Sequence, residues 1–191
     1  MAAPSLPSVE LTSGRLLLRR FTPADGPALH AYLSRPEAVE FEPYEAITPD
    51  QAAEWARQRA TDPAFWAICL REAGTLIGNL YLARVQPEAW RTWELGCVLH
   101  PDHWGQGYAS EAATRLLDEC FSSWSTHRVT ASCDVANTAS WRLLERLGFR
   151  REGHLLAGSS FHQDADGQPI WKDDYLYAVL DREWEASPRS H

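Results

Sequence analysis

The sequence predicts an α/β (α+β) fold: a single domain on a central mixed, mostly antiparallel sheet, with one splayed parallel strand pair and helices on both faces. Three observations carry this. Short apolar segments of period two interleave with segments of period 3.6. A long helix, not a tight turn, joins the strand in Trp90 to Leu99 to the strand in His127 to Asp134, which makes those two strands parallel. The chain has 191 residues, 45% of them hydrophobic, enough for one well-buried core and too few for several. A sheet with one parallel pair inside an antiparallel frame can open where that pair meets, leaving a cleft between the strands.

The elements follow in order. Residues 1–14 read as a flexible start and Arg15 to Phe21, "RLLLRRF", as the first strand. Thr22 is a helix N-cap with Pro23 in the first turn, where its missing N–H costs nothing. "SRPEAVEFEPYEA" is loop or frayed helix. Thr48 and Gln51 have capping-box spacing, with Pro49 just inside a second helix. "FWAICLRE" and "TLIGNLYLARV" form a hairpin about Ala73-Gly74. After the strand "WRTWELGCVL", the segment 107–124 places Ala109, Ala112, Ala113, Leu116, Leu117, Cys120, Phe121 and Trp124 on one helical stripe. "HRVTASCD" alternates as a strand. "NTASWRLLERLGF" is a short helix closed by Gly148. "RREGHLLAG" and "WKDDYLYAVL" are the last strands, separated by the polar loop "SSFHQDADGQP", and 185–191 is a flexible tail.

Composition excludes several functions. No run has the apolar length of a membrane span and the N-terminus lacks the blocks of a signal peptide, so the expectation is a cytoplasmic protein without a membrane partner. Cys69, Cys97, Cys120 and Cys133 lie far apart among apolar neighbours, which predicts buried free thiols and neither disulfides nor a zinc site. A formal net charge of -8 disfavours a nucleic-acid partner and suits a cationic or amine substrate. No metal is expected: His100 and His103, with Asp102 between them, read as polar surface.

The stretch "HPDHWGQGYASEA" carries the strongest chemical signal. Gly105 and Gly107 precede a helix whose first N–H groups have no intrahelical partner, and these with the helix dipole make an anion site for a phosphate or pyrophosphate. Neither the dinucleotide fingerprint nor the P-loop fits the spacing.

Trp104-Gly105-Gln106-Gly107-Tyr108-Ala109 resembles the coenzyme A signature of the GNAT acetyltransferase superfamily, with Trp104 in the position usually held by Gln or Arg. "WELGCVLHPDHWGQGYASEAATRLLDECF" and "HRVTASCDVANTASWRLLERLGFRREG" resemble its RimJ/RimL-like branch, which acetylates ribosomal-protein N-termini and other amines. The likeness runs from Arg15 to Leu180 in element order and is sharpest from Trp93 to Gly153. It implies a GNAT domain over 15–184 and acetyl-coenzyme A as co-substrate. The pantetheine would meet the backbone of Cys97, Val98 and Leu99, the pyrophosphate the turn from Trp104 to Ala109, and Asn137 the pantetheine arm. An extended amide chain can pair with an exposed strand edge.

Two residues are candidates for proton transfer. Alternation in "WELGCVL" puts Trp93, Leu95, Cys97 and Leu99 on one face and Glu94, Gly96 and Val98 on the other. The resemblance makes Glu94 the base that takes the acceptor's proton; the alternative is a surface glutamate or an ion pair with Arg91 or another basic group. Ser140 stands where the branch places a hydroxyl near the thioester sulfur, as the acid for the leaving thiolate; a local helix cap is its alternative, as it is for Asn137. Direct transfer is expected, with Cys97 facing the core and no histidine paired with it. Glu111 reads as a complement to the helix dipole. The acceptor is a peptide N-terminus or a small-molecule amine. A homodimer fits the branch. An antibiotic or metabolite acetyltransferase, and a silent coenzyme A-binding sensor, are the competing readings.

Overall fold

The computed structural model describes residues 10–186. Eight strands form one sheet in the order β1-β2-β3-β4-β5-β6-β8-β7. They are β1 (Leu11–Thr12), β2 (Leu16–Arg19), β3 (Phe65–Leu70), β4 (Leu76–Arg84), β5 (Thr92–Leu99), β6 (Arg128–Asp134), β7 (Arg150–Gln163) and β8 (Pro169–Leu180). The helices are α1 (Gly26–Leu33), α2 (Pro36–Val39), α3 (Pro49–Thr61), α4 (Tyr108–Ser123), α5 (Thr138–Arg146) and α6 (Asp181–Ala186). Every neighbouring pair is antiparallel except β5 with β6. The expected mixed sheet with a single parallel pair is the one found.

Helices cover both faces. One face packs Leu16, Leu18, Trp66, Ile68, Leu80, Trp93 and Leu95 against the stripe Ala112, Ala113, Leu116, Leu117 and Cys120 of α4. The other packs Ala67, Cys69 and Val98 against Leu29, Tyr32 and Leu33 of α1 and Ala52 of α3. The α3 start is built as its sequence implies: the Thr48 hydroxyl accepts from Gln51 N, the Gln51 side chain accepts from Thr48 N, and Pro49 follows.

Two boundaries differ from expectation. Leu11 is buried, β1 pairs with β2, and the Ser13 hydroxyl donates to Glu111 at 2.7 Å, so order begins before Arg15. Residues 1–9 of the expected flexible start, and 187–191 of the expected tail, lie outside the described residues, while 185–186 belong to α6. The expected loop between the last two strands is mostly strand: β7 and β8 pair out to Gln163↔Pro169, through three register shifts. The polar tip hid this because neither of its faces packs on a core, so no apolar alternation marks it. The hairpin leaves Leu155, Leu156, Phe161, Ile170 and Trp171 exposed. Among the described residues no helix is long and apolar enough to cross a membrane.

Close approach of β4 and β5 depends on Gly78. A Cβ there would lie 2.4 Å from the carbonyl oxygen of Val98 and 2.9 Å from the Leu99 Cα, both backbone atoms that cannot swing aside. Gly78→Ala should therefore destabilise the fold by about 1–3 kcal/mol, read as a lower urea midpoint, and wild-type stability in that variant would refute the close contact.

Candidate active site

β5 and β6 pair over three rungs only, Thr92↔Arg128, Trp93↔Val129 and Glu94↔Thr130, and then diverge. At the last rung the Thr130 hydroxyl donates to the Trp93 carbonyl at 3.2 Å. From Leu95 to Leu99, β5 keeps β4 on one edge and has no strand partner on the other. A cleft of about 110 Å³ occupies the opening. Leu95, Cys97, Ala131 and Cys133 form its strand walls, Ala113 of α4 and Asn137, Ser140, Leu143 and Leu144 of α5 close one side, and Phe41 and Glu42 close the other. The cleft therefore runs through the sheet, from the α4/α5 face to the α1/α3 face. A wider depression of about 620 Å³ at the opposite end of β5 and β6, lined by Trp90, Arg91, His127 and Arg128 among others, contains none of the sequence-predicted site residues.

The glycine turn sits at the mouth of this opening. Gly105 has φ +71° and Gly107 φ +83°, values that L side chains rarely adopt, and Gly107 is the N-cap of α4. The N–H groups of Gly105, Gln106, Gly107, Tyr108 and Ala109 have no hydrogen-bond acceptor among the described residues. Five consecutive free donors at a helix N-terminus suit a pyrophosphate. The side chains in the turn are turned elsewhere. Trp104, 48% exposed, donates its indole N–H to the Leu99 carbonyl at 2.9 Å. The Gln106 amide donates to the Asp102 carbonyl at 3.0 Å. Trp104 thus pins the turn to the end of β5, and the Leu99 carbonyl is taken.

Arg15, which sequence reasoning passed over, braces the turn from below. Its guanidinium donates to the Gln106 carbonyl at 3.0 Å, lies 4.4 Å above the Tyr108 ring, and pairs with Glu111 at 2.7 Å. Glu111 also accepts from Arg15 N at 2.7 Å. Its role exceeds the expected dipole complement: it ties the β1–β2 loop to the first turn of α4. No motif signals this, because the partners lie 96 residues apart.

The remaining predicted residues are placed as follows. Alternation in β5 is as read, with Trp93, Leu95, Cys97 and Leu99 on the α4 face and Val98 on the α1 face. Glu94 is exposed at the apex of the opening, on the last paired rung, and its charge adds to burial in raising the Tyr81 phenol. The expected alternative ion pair of Glu94 with Arg91 is not formed. Asn137 caps α5 by accepting from Ser140 N at 3.1 Å, so its amide N–H₂ is what remains for a ligand. Ser140 lines the cleft beside Cys133, whose thiol burial raises and the Ser140 hydroxyl pulls down. All four cysteines are free; Cys97 is less buried than expected because it lines the cleft. Its thiol is pushed up to about 12, by burial first and by the Glu42 charge second, which removes it as a thiolate nucleophile near neutrality. Among the described residues no group of His, Cys, Asp or Glu could hold a metal.

Glu42 is the residue the sequence did not disclose. It is half-buried, lines the cleft with Gly96 and Cys97, and forms no ion pair within 4.0 Å among the described residues. Burial raises its pKa against the opposing pull of the Tyr44 hydroxyl and the Arg59 charge. A loop without periodicity carries it, so no pattern marks it.

The profile of the family described as "Acetyltransferase (GNAT) domain" matches residues 15–150. The chain is 32% identical over 177 residues to the uncharacterized N-acetyltransferase YnaD of Bacillus subtilis, covering 92% of this chain and 99% of that protein. It is 29% identical over 139 residues to the spermidine N(1)-acetyltransferase of Vibrio cholerae, covering 71% of this chain and 79% of that one. A crystal structure of a GNAT-family acetyltransferase from Bacillus anthracis superposes with a TM-score of 0.81 at 29% identity, covering 91% of this chain and 99% of that chain.

Burial alone would raise the Glu111 pKa, but the Arg15 N–H, the Ser13 hydroxyl and the Arg15 guanidinium outweigh it and hold it below the ordinary value. A depressed carboxylate stabilises the fold above its unfolded pKa, and that contribution is lost as pH falls through the folded one. Glu111→Gln should cost about 1–3 kcal/mol at pH 7. In paired urea titrations the difference from wild type should shrink below about pH 4; a pH-independent difference would contradict the charge-based account.

Proposed function

Because the chain belongs to the GNAT acetyltransferase family, we propose that it transfers the acetyl group of acetyl-coenzyme A to a primary amine, on a peptide N-terminus or a small molecule. The observation that carries this reading is the row of five free N–H groups from Gly105 to Ala109 beside an unpaired strand edge. Acetyl-coenzyme A supplies an acyl carbonyl activated as a thioester. The turn from Trp104 to Ala109 receives its pyrophosphate through backbone N–H groups, which is why Trp104 serves as well as Gln or Arg. The free edge of β5 at Cys97 pairs with the amide-bearing arm, and Asn137 offers its amide N–H₂; the expected backbone contact at Val98 is not open, because alternation along β5 turns its N–H and C=O toward Asn79 of β4. Leu99 contributes by anchoring Trp104, its carbonyl being occupied.

Glu94 at the apex takes the proton that the amine sheds as its nitrogen attacks the carbonyl carbon. A peptide α-amine, with a pKa of about 7.7–8.0, needs only a modest shift to be neutral near pH 7. The Cys97 N–H, which faces the open edge while those of Gly96 and Val98 face β4, stabilises the developing oxyanion, a contribution on the order of 3 kcal/mol. As the C–N bond forms and the C–S bond breaks, the Ser140 hydroxyl passes a proton to the departing sulfur and is reprotonated by solvent water. Transfer is direct, since the Cys97 thiol stays protonated at neutral pH.

Within the family we place the chain in the RimJ/RimL-like branch, on the support of its Trp93 to Gly153 sequence and the Ser140 position. Four free thiols support a reducing, cytoplasmic compartment. The exposed apolar side chains of the β7–β8 hairpin support a homodimer.

Thiol release from acetyl-coenzyme A across a panel of amines, including spermidine and peptides beginning with Ser or Ala, tests the reading. At least one amine should accelerate release; coenzyme A binding with no acceleration by any amine would favour the silent sensor. Glu94→Gln should leave acetyl-coenzyme A affinity within about twofold and lower kcat roughly a hundredfold, most at low pH. Wild-type turnover of that variant from pH 6 to pH 9 would remove Glu94 as the base.

A further inference from the structure

The acceptor side of the cleft contains a carboxylate in an unusual position. Glu42 and Phe41 are the residues through which the segment after α2 reaches the opening between β5 and β6. The other carboxylate of the cleft, Asp134, is committed to the β6–α5 turn, where it accepts from Ala136 N at 2.7 Å. Glu42 meets only the Tyr44 hydroxyl, a neutral partner, and has no cation within ion-pair distance. The positive group nearest to it in effect, Arg59, is only 6% exposed and is held back from it. Arg59 donates to Asn79 Oδ1 at 3.0 Å, an atom that also accepts the Tyr32 hydroxyl at 2.7 Å, and its guanidinium lies 4.4 Å from the Phe65 ring centroid.

A carboxylate withdrawn from water without a paired cation is costly, and a cationic ligand that enters beside it recovers that cost. The geometry points to Glu42 as the acceptor-side binding residue: we propose that its carboxylate receives the ammonium of the incoming amine and presents it to Gly96 and Cys97 on β5. The assignment rests on the transfer reading above and names the acceptor as a compound that arrives as an alkylammonium ion. Glu42 is a gripping residue, and Glu94 at the apex remains the proton acceptor. Phe41 in the cleft wall favours an apolar arm next to the charge. Burial already biases Glu42 against its charged form while Tyr44 and Arg59 oppose that bias, so a bound ammonium tips it fully to carboxylate.

The test is calorimetric binding of spermidine, n-hexylamine and a seryl peptide to the full chain saturated with coenzyme A, comparing wild type with Glu42→Gln. Gln keeps the size and the contact with Tyr44. At pH 7 at least one amine should bind wild type, and the substitution should weaken it about tenfold to a hundredfold while coenzyme A affinity stays within about twofold. Glu42→Asp should recover part of the loss. Aniline, uncharged at pH 7, should show no such difference. Equal amine affinity in the two proteins, or no amine binding to wild type, overturns the assignment. Glu42-dependent amine binding with no thiol release would instead uphold Glu42 and overturn the transfer reading.

Discussion

Everything at the site depends on the separation of β5 from β6 after Glu94↔Thr130. A strand edge away from water must find hydrogen-bond partners, and from Leu95 to Leu99 β5 has strand partners on the β4 side alone, with the Trp104 indole on the Leu99 carbonyl at its far end. Side chains of α4 and α5, Ala113, Leu143 and Leu144, line one side of the widening gap. At the closed end Trp93 and Trp66 pack on Trp124, with centroids 5.4 and 6.1 Å apart, and fix the apex from which the strands diverge. A peptide-like ligand arm supplies the hydrogen bonds that β6 withholds.

The opening also assigns directions. Because the cleft crosses the sheet, one side is closed by α5 and by α4, the helix that the glycine turn begins, and its other side meets Phe41 and Glu42. Two reactants can therefore approach from opposite faces and meet at Gly96 and Cys97 without crossing each other's path. The residue opposite Gly96 on β4 is Tyr81, and an added Cβ at Gly96 would stand 3.5 Å from its Cβ. The bare position keeps that face of the strand clear beside Glu94.

Much of this was legible in the sequence where local rules govern. Capping at Thr48 and Asn137, the α4 stripe, the alternation of β5 and the parallel pair each follow from patterns within one segment. What the sequence hid was joined across distance or lay where no core imposes a period. Glu111 looked like a dipole complement because its partners Ser13 and Arg15 are far away in sequence. The outer hairpin looked like a loop because it is solvent-exposed on both sides. Glu42 had no neighbour in sequence to announce it.

That asymmetry has a physical origin in the two halves of the reaction. On the proposed reading the donor is held by main-chain N–H groups and a strand edge, so its recognition demands particular backbone conformations, and those demand glycines at fixed positions such as Gly105 and Gly107. Such a demand leaves a motif in the sequence, while the Trp104 side chain is spent on the Leu99 carbonyl. The acceptor, in the proposal made for Glu42, is held by side chains on the segment between α2 and α3, where any backbone that brings a carboxylate to the opening would serve. Its specificity can change with one residue while the fold and the donor turn stay as they are, so membership of the family identifies the acetyl donor and leaves the amine to be read from residues such as Glu42.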